Sequence, residues 1–306
     1  MLHVVKKNSP VKNEWPKITL VTPVFNAAHR IELTIQSVLS QDYPNLEYII
    51  IDGGSTDGTV TKIKKYESQL SFWKSEKDTG LYDALNKGFY RSTGEIMGWI
   101  GAGDHLHVGS LKVVGSCFKH FSDVEWITGI PTGFDEQGMC TFLKETPRWS
   151  RFRFLAGANR HIQQESTFFR RSLWQKSGAY VNAQRKSGAD FDLWLRFFRH
   201  APLYRVHALI AGYTWHADAG SVLRQRDDDN YQASLVRSEW KRVWYGWPLR
   251  AIDFVNRVIN KIPKVRALWY LAVTRWISFL LYNLPGPDTP RLLRHDCDKG
   301  WHYGPR

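Results

Sequence analysis

Apolar runs of strand length alternate with segments of helical spacing along the first hundred residues. Lys17–Asn26 is a β-rich run interrupted by Pro23 and closed by Asn26. Leu46–Asp52 is a second, ending on an acid and followed by Gly53-Gly-Ser-Thr-Asp-Gly-Thr59. Glu95–Asp104 is a third, again ending on an acid after Gly101 and Gly103. Between them, Ala27–Ser40 carries Ile31, Ile35, Val38 and Leu39 at helical spacing, and Thr56–Tyr66 predicts a second helix with Ser55 as its N-cap. Apolar strands alternating with helices imply a mostly parallel sheet covered by helices on both faces. Ligands of such sheets bind outside the carboxyl ends of the strands, where these acids fall.

The alternation continues with a strand at Leu70–Ser75, helices at Leu81–Arg91 and Ser110–Phe121, and strands near Glu125–Thr128 and Met139–Glu145. Arg148–Phe154 reads as a basic aromatic loop, either a mobile lid or a solvated turn. Glu165–Arg170 predicts a strand, Arg171–Lys176 a short helix ended by Gly178, and Ala189–His200 an amphipathic helix. A boundary is expected near Arg226–Asn230. The organisation predicted is a flexible leader over 1–16, a main domain over 17–226 with halves 17–106 and 107–226, and a basic, Trp-rich helical extension over 227–306. Within that extension Ala267–Leu284 is mostly apolar but has Arg275 near its middle, which argues against a membrane span. Either an interfacial helix on a membrane or an ordinary core-packing pair fits this stretch.

Charge sharpens that alternative. The 306 residues carry 42 Lys and Arg against 29 Asp and Glu, and residues 237–306 alone hold 13 basic against 5 acidic residues. A local basic excess points to an anionic membrane or phosphorylated partner, or to nothing more than a solvated surface. No nucleic-acid recognition module accompanies it, so no nucleic-acid partner is expected. Three widely spaced cysteines, Cys117, Cys140 and Cys297, speak for a reducing compartment and against a disulfide framework or structural zinc.

Neither a P-loop nor a Gly-x-Gly-x-x-Gly opening is present. Asp104 at a strand end is chemically sufficient for Mg²⁺ or Mn²⁺, which one or two carboxylates hold together with substrate phosphates and water. Alone it would read sooner as a turn acid capping the next helix. It is not alone. Thr22–Asn26, Ile51–Thr59, Glu76–Gly88, Thr93–Ile96, Gly101–Asp104, Gln163–Arg170 and Ala189–Arg196, in that order, resemble the motifs of family 2 glycosyltransferases of the GT-A fold, bacterial surface-polysaccharide type. The resemblance covers about 18–221 and leaves out the extension.

The resemblance implies a role for each matching position. Pro23, Phe25, Asn26, Asp52 and Asp78 would border the nucleotide. Asp104 aligns with the metal-binding aspartate, and His216 with a histidine that serves as a further metal ligand or diphosphate contact, although a lone histidine is as often structural. Asp190 aligns with the catalytic base, and Gln164 and Arg170 would face the acceptor. Gly53, Gly103 and Ala189 stand where the family often has acids. Trp194 reads as core and Asp192 as a helix charge pointing elsewhere. The implied activity is an inverting transfer of one sugar from a nucleotide-diphosphate donor, with Mn²⁺ or Mg²⁺, to a hydroxyl of a glycan or polyprenyl-diphosphate-linked acceptor. The expected location is cytoplasmic, peripheral on the inner face of the membrane. The alternative is a non-catalytic relative acting as a scaffold in a glycan-assembly complex.

Overall fold

The computed structural model describes residues 15–157, 161–215, 225–243, 246–247, 249–250 and 290–304. The chain opens with alternating elements: β1 (Ile18–Val24), α1 (Ile31–Leu39), β2 (Leu46–Asp52), α2 (Thr59–Lys64), β3 (Phe72–Ser75), α3 (Leu81–Arg91) and β4 (Ile96–Trp99). There follow β5 (His105–Leu106), α4 (Ser110–His120), β6 (Trp126–Thr128), β7 (Thr132–Phe134), β8 (Cys140–Leu143), α5 (Arg151–Leu155), β9 (Thr167–Arg170) and α6 (Arg171–Lys176). Last come α7 (Ala189–Phe198), β10 (Tyr204–Val206), β11 (Ala211–Thr214), α8 (Gln225–Glu239), β12 (Leu292–Asp296) and β13 (Gly300–Tyr303).

Nine strands form one sheet in the order β13-β12-β10-β6-β9-β4-β1-β2-β3. Its pairings are parallel except for β9, which runs against β4 and β6, and the β12–β13 hairpin. Strand alternation divides the apolar residues between two cores. Val21, Ile51, Met97, Trp99, Trp126 and Phe169 face one, beneath α3 and α5 to α7. Leu20, Ile50, Ile127 and Phe168 face the other, beneath α1 and α4. Burying one such side chain contributes about 1.5–3 kcal/mol. Trp194 of α7 is core, as expected, stacked between Trp99 at 5.4 Å and Trp126 at 5.6 Å.

Pro23 sits inside β1 without breaking the sheet. β4 pairs with β1 only as far as Val21, and the amide of Ile100 closes that ladder on the Val21 carbonyl. The missing N–H of Pro23 points to the same side, beyond the end of β4, so no ladder bond is lost.

Three expectations need correction. Ser55 does not cap α2, whose N-cap is Gly58 in the left-handed region (φ +99). The serine bonds to Asp52 instead. Arg148–Phe154 is neither lid nor solvated turn: Trp149 and Phe154 are buried, and Ser150 caps α5 by accepting from the Arg153 amide at 3.1 Å. Tertiary burial converts the aromatic run into core. The described parts of the segment from 227 join the main domain. Asp228 of α8 accepts from Arg185 and Ser187 at 2.9 and 2.8 Å, and β12 pairs with β10 to widen the main sheet. The apolar stretch Ala267–Leu284 lies outside the described residues. Among the described residues no helix is long and apolar enough to cross a membrane.

Candidate active site

The C-terminal ends of β1, β2 and β4 open onto one edge, and the loops leaving them are tied to each other. The Asn26 amide donates to Ser55 Oγ at 2.7 Å, and Asn26 Oδ1 accepts from the Thr56 amide at 3.0 Å. Asp57 accepts from the Ala28 amide at 3.0 Å. Asp52, fully buried, accepts from the amides of Gly54 and Ser55 and from both the Ser55 and Ser75 hydroxyls. With four donors on two oxygens, Asp52 acts through the loop it shapes, not as an open acceptor. Pro23 is buried behind that loop, whereas Phe25 and Asn26 are exposed beside it. Asp78 lies across from Gly53: a Cβ at that glycine would come within 2.8 Å of Asp78 Oδ2. An acid at Gly53, as the family often has, would bring a second carboxylate against Asp78 and require that side chain to shift. Burial raises the Asp78 carboxyl above its ordinary value, although the Gly80 amide offsets part of the shift.

Asp104 is held from two sides. Thr34 of α1 donates to its carbonyl at 3.0 Å, and the amide of Thr214 in β11 donates to Oδ1 at 3.0 Å. Thr214 belongs to a small second sheet, β5-β11-β7-β8, that packs at this edge. Asp104 is 7% exposed, and burial pushes its carboxyl up to about 7 against the backbone donors and the nearby Arg30 charge. Neighbouring Gly103 has φ +116, a conformation L side chains rarely adopt, which explains the glycine where the family often has an acid.

The third group approaches from the antiparallel strand. Because β9 runs opposite to its neighbours, its leading residues arrive at the carboxyl edge of β4. Glu165 is there, 2% exposed, with Oε1 lacking any hydrogen-bond partner. Burial raises its carboxyl well above the ordinary value, and the negative charges of Asp104 and Asp190 raise it further. Asp190 occupies the first turn of α7, beyond a left-handed Gly188 (φ +69). Burial raises it as well, with the His161 charge opposing and Asp228 adding. Tyr82 Oη accepts from the Ala189 amide at 3.2 Å and fixes this turn against α3. Asp104, Glu165 and Asp190 thus form one electrostatically linked group of carboxylates. Asp192 points away, to Arg196 at 3.1 Å, as its spacing predicts.

Sequence reasoning missed Glu165, His161 and Tyr82. Glu165 was legible as an acid inside an apolar strand, but only the reversed direction of β9 puts it at the site. That direction also overturns the acceptor-side reading of Arg170, which pairs with Ile96 at the opposite edge. From there it donates to the carbonyls of Val124, Phe118 and Phe121 at the end of α4 and pairs with Glu95. Six residues of chain, a 3-10 turn followed by strand β9, separate it from Gln164. Gln164 itself is half-buried beside Glu165, and its Oε1 has no hydrogen-bond partner. His216 lies outside the described residues. Among the described residues, no three His, Cys, Asp or Glu side chains are grouped to hold a metal ion.

Residues 19–114 match the description "Glycosyl transferase family 2". That stretch of the chain resembles the catalytic domain of the family. A Mycobacterium tuberculosis protein named an uncharacterized glycosyltransferase is 30% identical over 54% of this chain and 63% of its own length. The chain thus spans less than two thirds of that relative. A Mycobacterium bovis PGL/p-HBAD biosynthesis glycosyltransferase is 26% identical over 65% of this chain and 77% of its own. Among solved structures, S. aureus TarS 1-349 in complex with UDP-GlcNAc superposes with a TM-score of 0.63 at 16% identity, over 88% of this chain and 76% of that one. The mannosyltransferase PcManGT of Pyrobaculum calidifontis, in complex with GDP-Man and Mn²⁺, gives 0.58 at 18% identity over 91% and 85%. The domain therefore has the GT-A fold, as its motifs imply.

Proposed function

We propose that the protein is an inverting glycosyltransferase that moves one sugar from a nucleotide-diphosphate donor to a hydroxyl of a glycan or lipid-linked acceptor in bacterial surface-polysaccharide synthesis. The observation that carries this reading is that the charges of Asp104 and Asp190, from opposite halves of the domain, both reach the buried Glu165. Asp190 is the base. A hydroxyl attacks poorly until a carboxylate takes its proton, and a carboxyl whose pKa is raised toward the working pH does so more effectively. The loops of Phe25–Asn26 and Gly53–Ser55, with Asp78, border the nucleotide.

Asp104 fits a divalent cation. It is buried, and its carboxylate takes backbone donors only, from Thr214 and Gly101, with no side-chain hydroxyl bonded to it among the described residues. Asp104 would hold the ion together with the donor's phosphates, and His216 is the further ligand the resemblance proposes. Bound there, Mn²⁺ or Mg²⁺ would act as a Lewis acid on the departing nucleoside diphosphate. The complexes named for TarS and PcManGT support a nucleotide-sugar donor and a cation of this kind. The basic residues of 227–306 favour an anionic acceptor at the inner face of the cytoplasmic membrane.

The test is thermal unfolding with UDP, GDP, dTDP and CDP, each with Mn²⁺, Mg²⁺ or EDTA. At a hundred times its dissociation constant a nucleotide stabilises the fold by about 2.7 kcal/mol. One nucleotide should shift unfolding, and EDTA should abolish the shift. No shift with any nucleotide overturns the transferase reading in favour of a scaffold.

A further inference from the structure

A buried guanidinium in this domain has no counterpart. Arg205 of β10 is 7% exposed, its Nε is buried, and it makes no hydrogen bond or salt bridge among the described residues. Arg196 shows the contrast. Arg196, 5% exposed, pairs with Asp192 and donates to the carbonyls of Ser177 and Tyr180. With Nε buried and unpaired and no carboxylate bonded to the group among the described residues, Arg205 keeps free donor capacity for an anion.

The surroundings of Arg205 are cationic. β10 and β12 pair with Arg205 opposite Leu292, which puts Arg294, two residues further on, on the same face of the sheet. The Nε of Arg294 is also buried without a hydrogen-bond partner. Arg148 and Arg153 add positive charge from before and within α5, and Glu145, the acid whose charge reaches Arg205, is exposed. Guanidinium groups in such a cluster match the paired oxygens of a phosphate bidentately.

We propose that Arg205, with Arg294 and Arg148, forms a second phosphate- or diphosphate-binding site on the acceptor half of the domain. Three strand spacings, about 14 Å, separate β10 from β4, so a donor diphosphate at Asp104 does not reach it. Assigning the phosphate to the acceptor rests on the transferase reading; the anion site does not.

The experiment measures binding of inorganic pyrophosphate by calorimetry and thermal shift in EDTA. The Asp104→Asn variant serves as a background in which the metal-dependent site is disabled. Pyrophosphate should bind and stabilise both wild type and Asp104→Asn. Arg205→Met should unfold at a higher temperature than wild type without anion, because an unpaired charge is gone, and should show no pyrophosphate shift. Arg294→Gln and Arg148→Gln should each weaken binding by about 10- to 100-fold, the equivalent of one charged hydrogen bond. These two keep the test valid if Arg205→Met fails to fold. No binding to wild type, or undiminished binding in Arg205→Met or in both glutamine variants, overturns the proposal. To separate sources, farnesyl diphosphate is compared with phosphatidylglycerol vesicles. Competition with pyrophosphate by farnesyl diphosphate alone supports the acceptor assignment, and competition by vesicles alone overturns it. A wild type that binds pyrophosphate but transfers no sugar sinks the transferase reading and leaves the site standing.

Discussion

Two buried carboxylates at opposite edges of one sheet behave in opposite ways. Glu47, at the start of β2, is 8% exposed and receives the Thr19 hydroxyl, the amides of Thr93 and Gly94, the Thr93 hydroxyl and Lys17. Burial alone would raise it, yet these donors outweigh burial and hold it down at about 2. Asp104, after β4, is as little exposed but has only two backbone donors, from Thr214 and Gly101, on its carboxylate, and it rises to about 7. Fewer donors and a heavier desolvation together separate Asp104 from Glu47. A carboxylate that the fold satisfies is a strut. One left with unfilled acceptor capacity is free to engage something that binds.

Substitutions can break that contrast. The largest effect is expected at Asp104, where Asp104→Asn should lower kcat by about a thousandfold, several kcal/mol of lost electrostatic stabilisation. The same change should leave the unfolding temperature unchanged or higher in EDTA. A clear drop would make Asp104 a strut like Glu47. Asp190→Asn should lose about 10²–10⁴ in kcat while calorimetry still detects the donor nucleotide. Loss of nucleotide binding would assign Asp190 to the donor pocket.

Glu47→Gln should do the reverse of Asp104→Asn, with full turnover per folded molecule and about 1–3 kcal/mol less stability in denaturant titration. Smaller in scope, Gly103→Ala should cost about 1–3 kcal/mol because residue 103 has φ +116. Normal stability in that variant would show the turn relaxing, and with it the account of why an acid is missing there.

The pH dependence sharpens the comparison further. The folded pKa of Glu47 lies below its ordinary value of 4.5, so its contribution is complete above 4.5 and lost as pH falls toward about 2. The folded pKa of Asp104 lies above its ordinary 3.8, so its contribution is complete below 3.8 and lost as pH rises through about 7. Unfolding temperatures across pH in EDTA should show both limbs. Glu47→Gln should flatten the acid limb and Asp104→Asn the neutral one. A neutral limb that survives Asp104→Asn belongs to Glu165 or Asp190, whose carboxyls are also raised.

Much of the donor half was legible from local pattern. The bounds of β2, α3 and α6 fall where apolar period and punctuation place them, and the loops after β1, β2 and β4 share one edge as a parallel sheet requires. The other half was less so. β7, β10 and β11 are three or four residues long, too short to carry a period, and β12 and β13 return to the sheet from a segment whose composition reads as helical. Arg170 and Glu165 sit five residues apart on one predicted strand, and no local signal says which end meets the ligand.

The sequence by itself determined the alternation of strands and helices, the acids that end the strands, and the family these motifs resemble, because each depends on neighbours within a few residues. Tertiary structure decided the direction of β9, which delivers Glu165 to the site and removes Arg170 from it. It also decided the filling of Asp52, the openness of Asp104 and the isolation of Arg205. Those properties depend on which donors and charges arrive from distant parts of the chain. A carboxylate or guanidinium has no character of its own until the fold has assigned its partners.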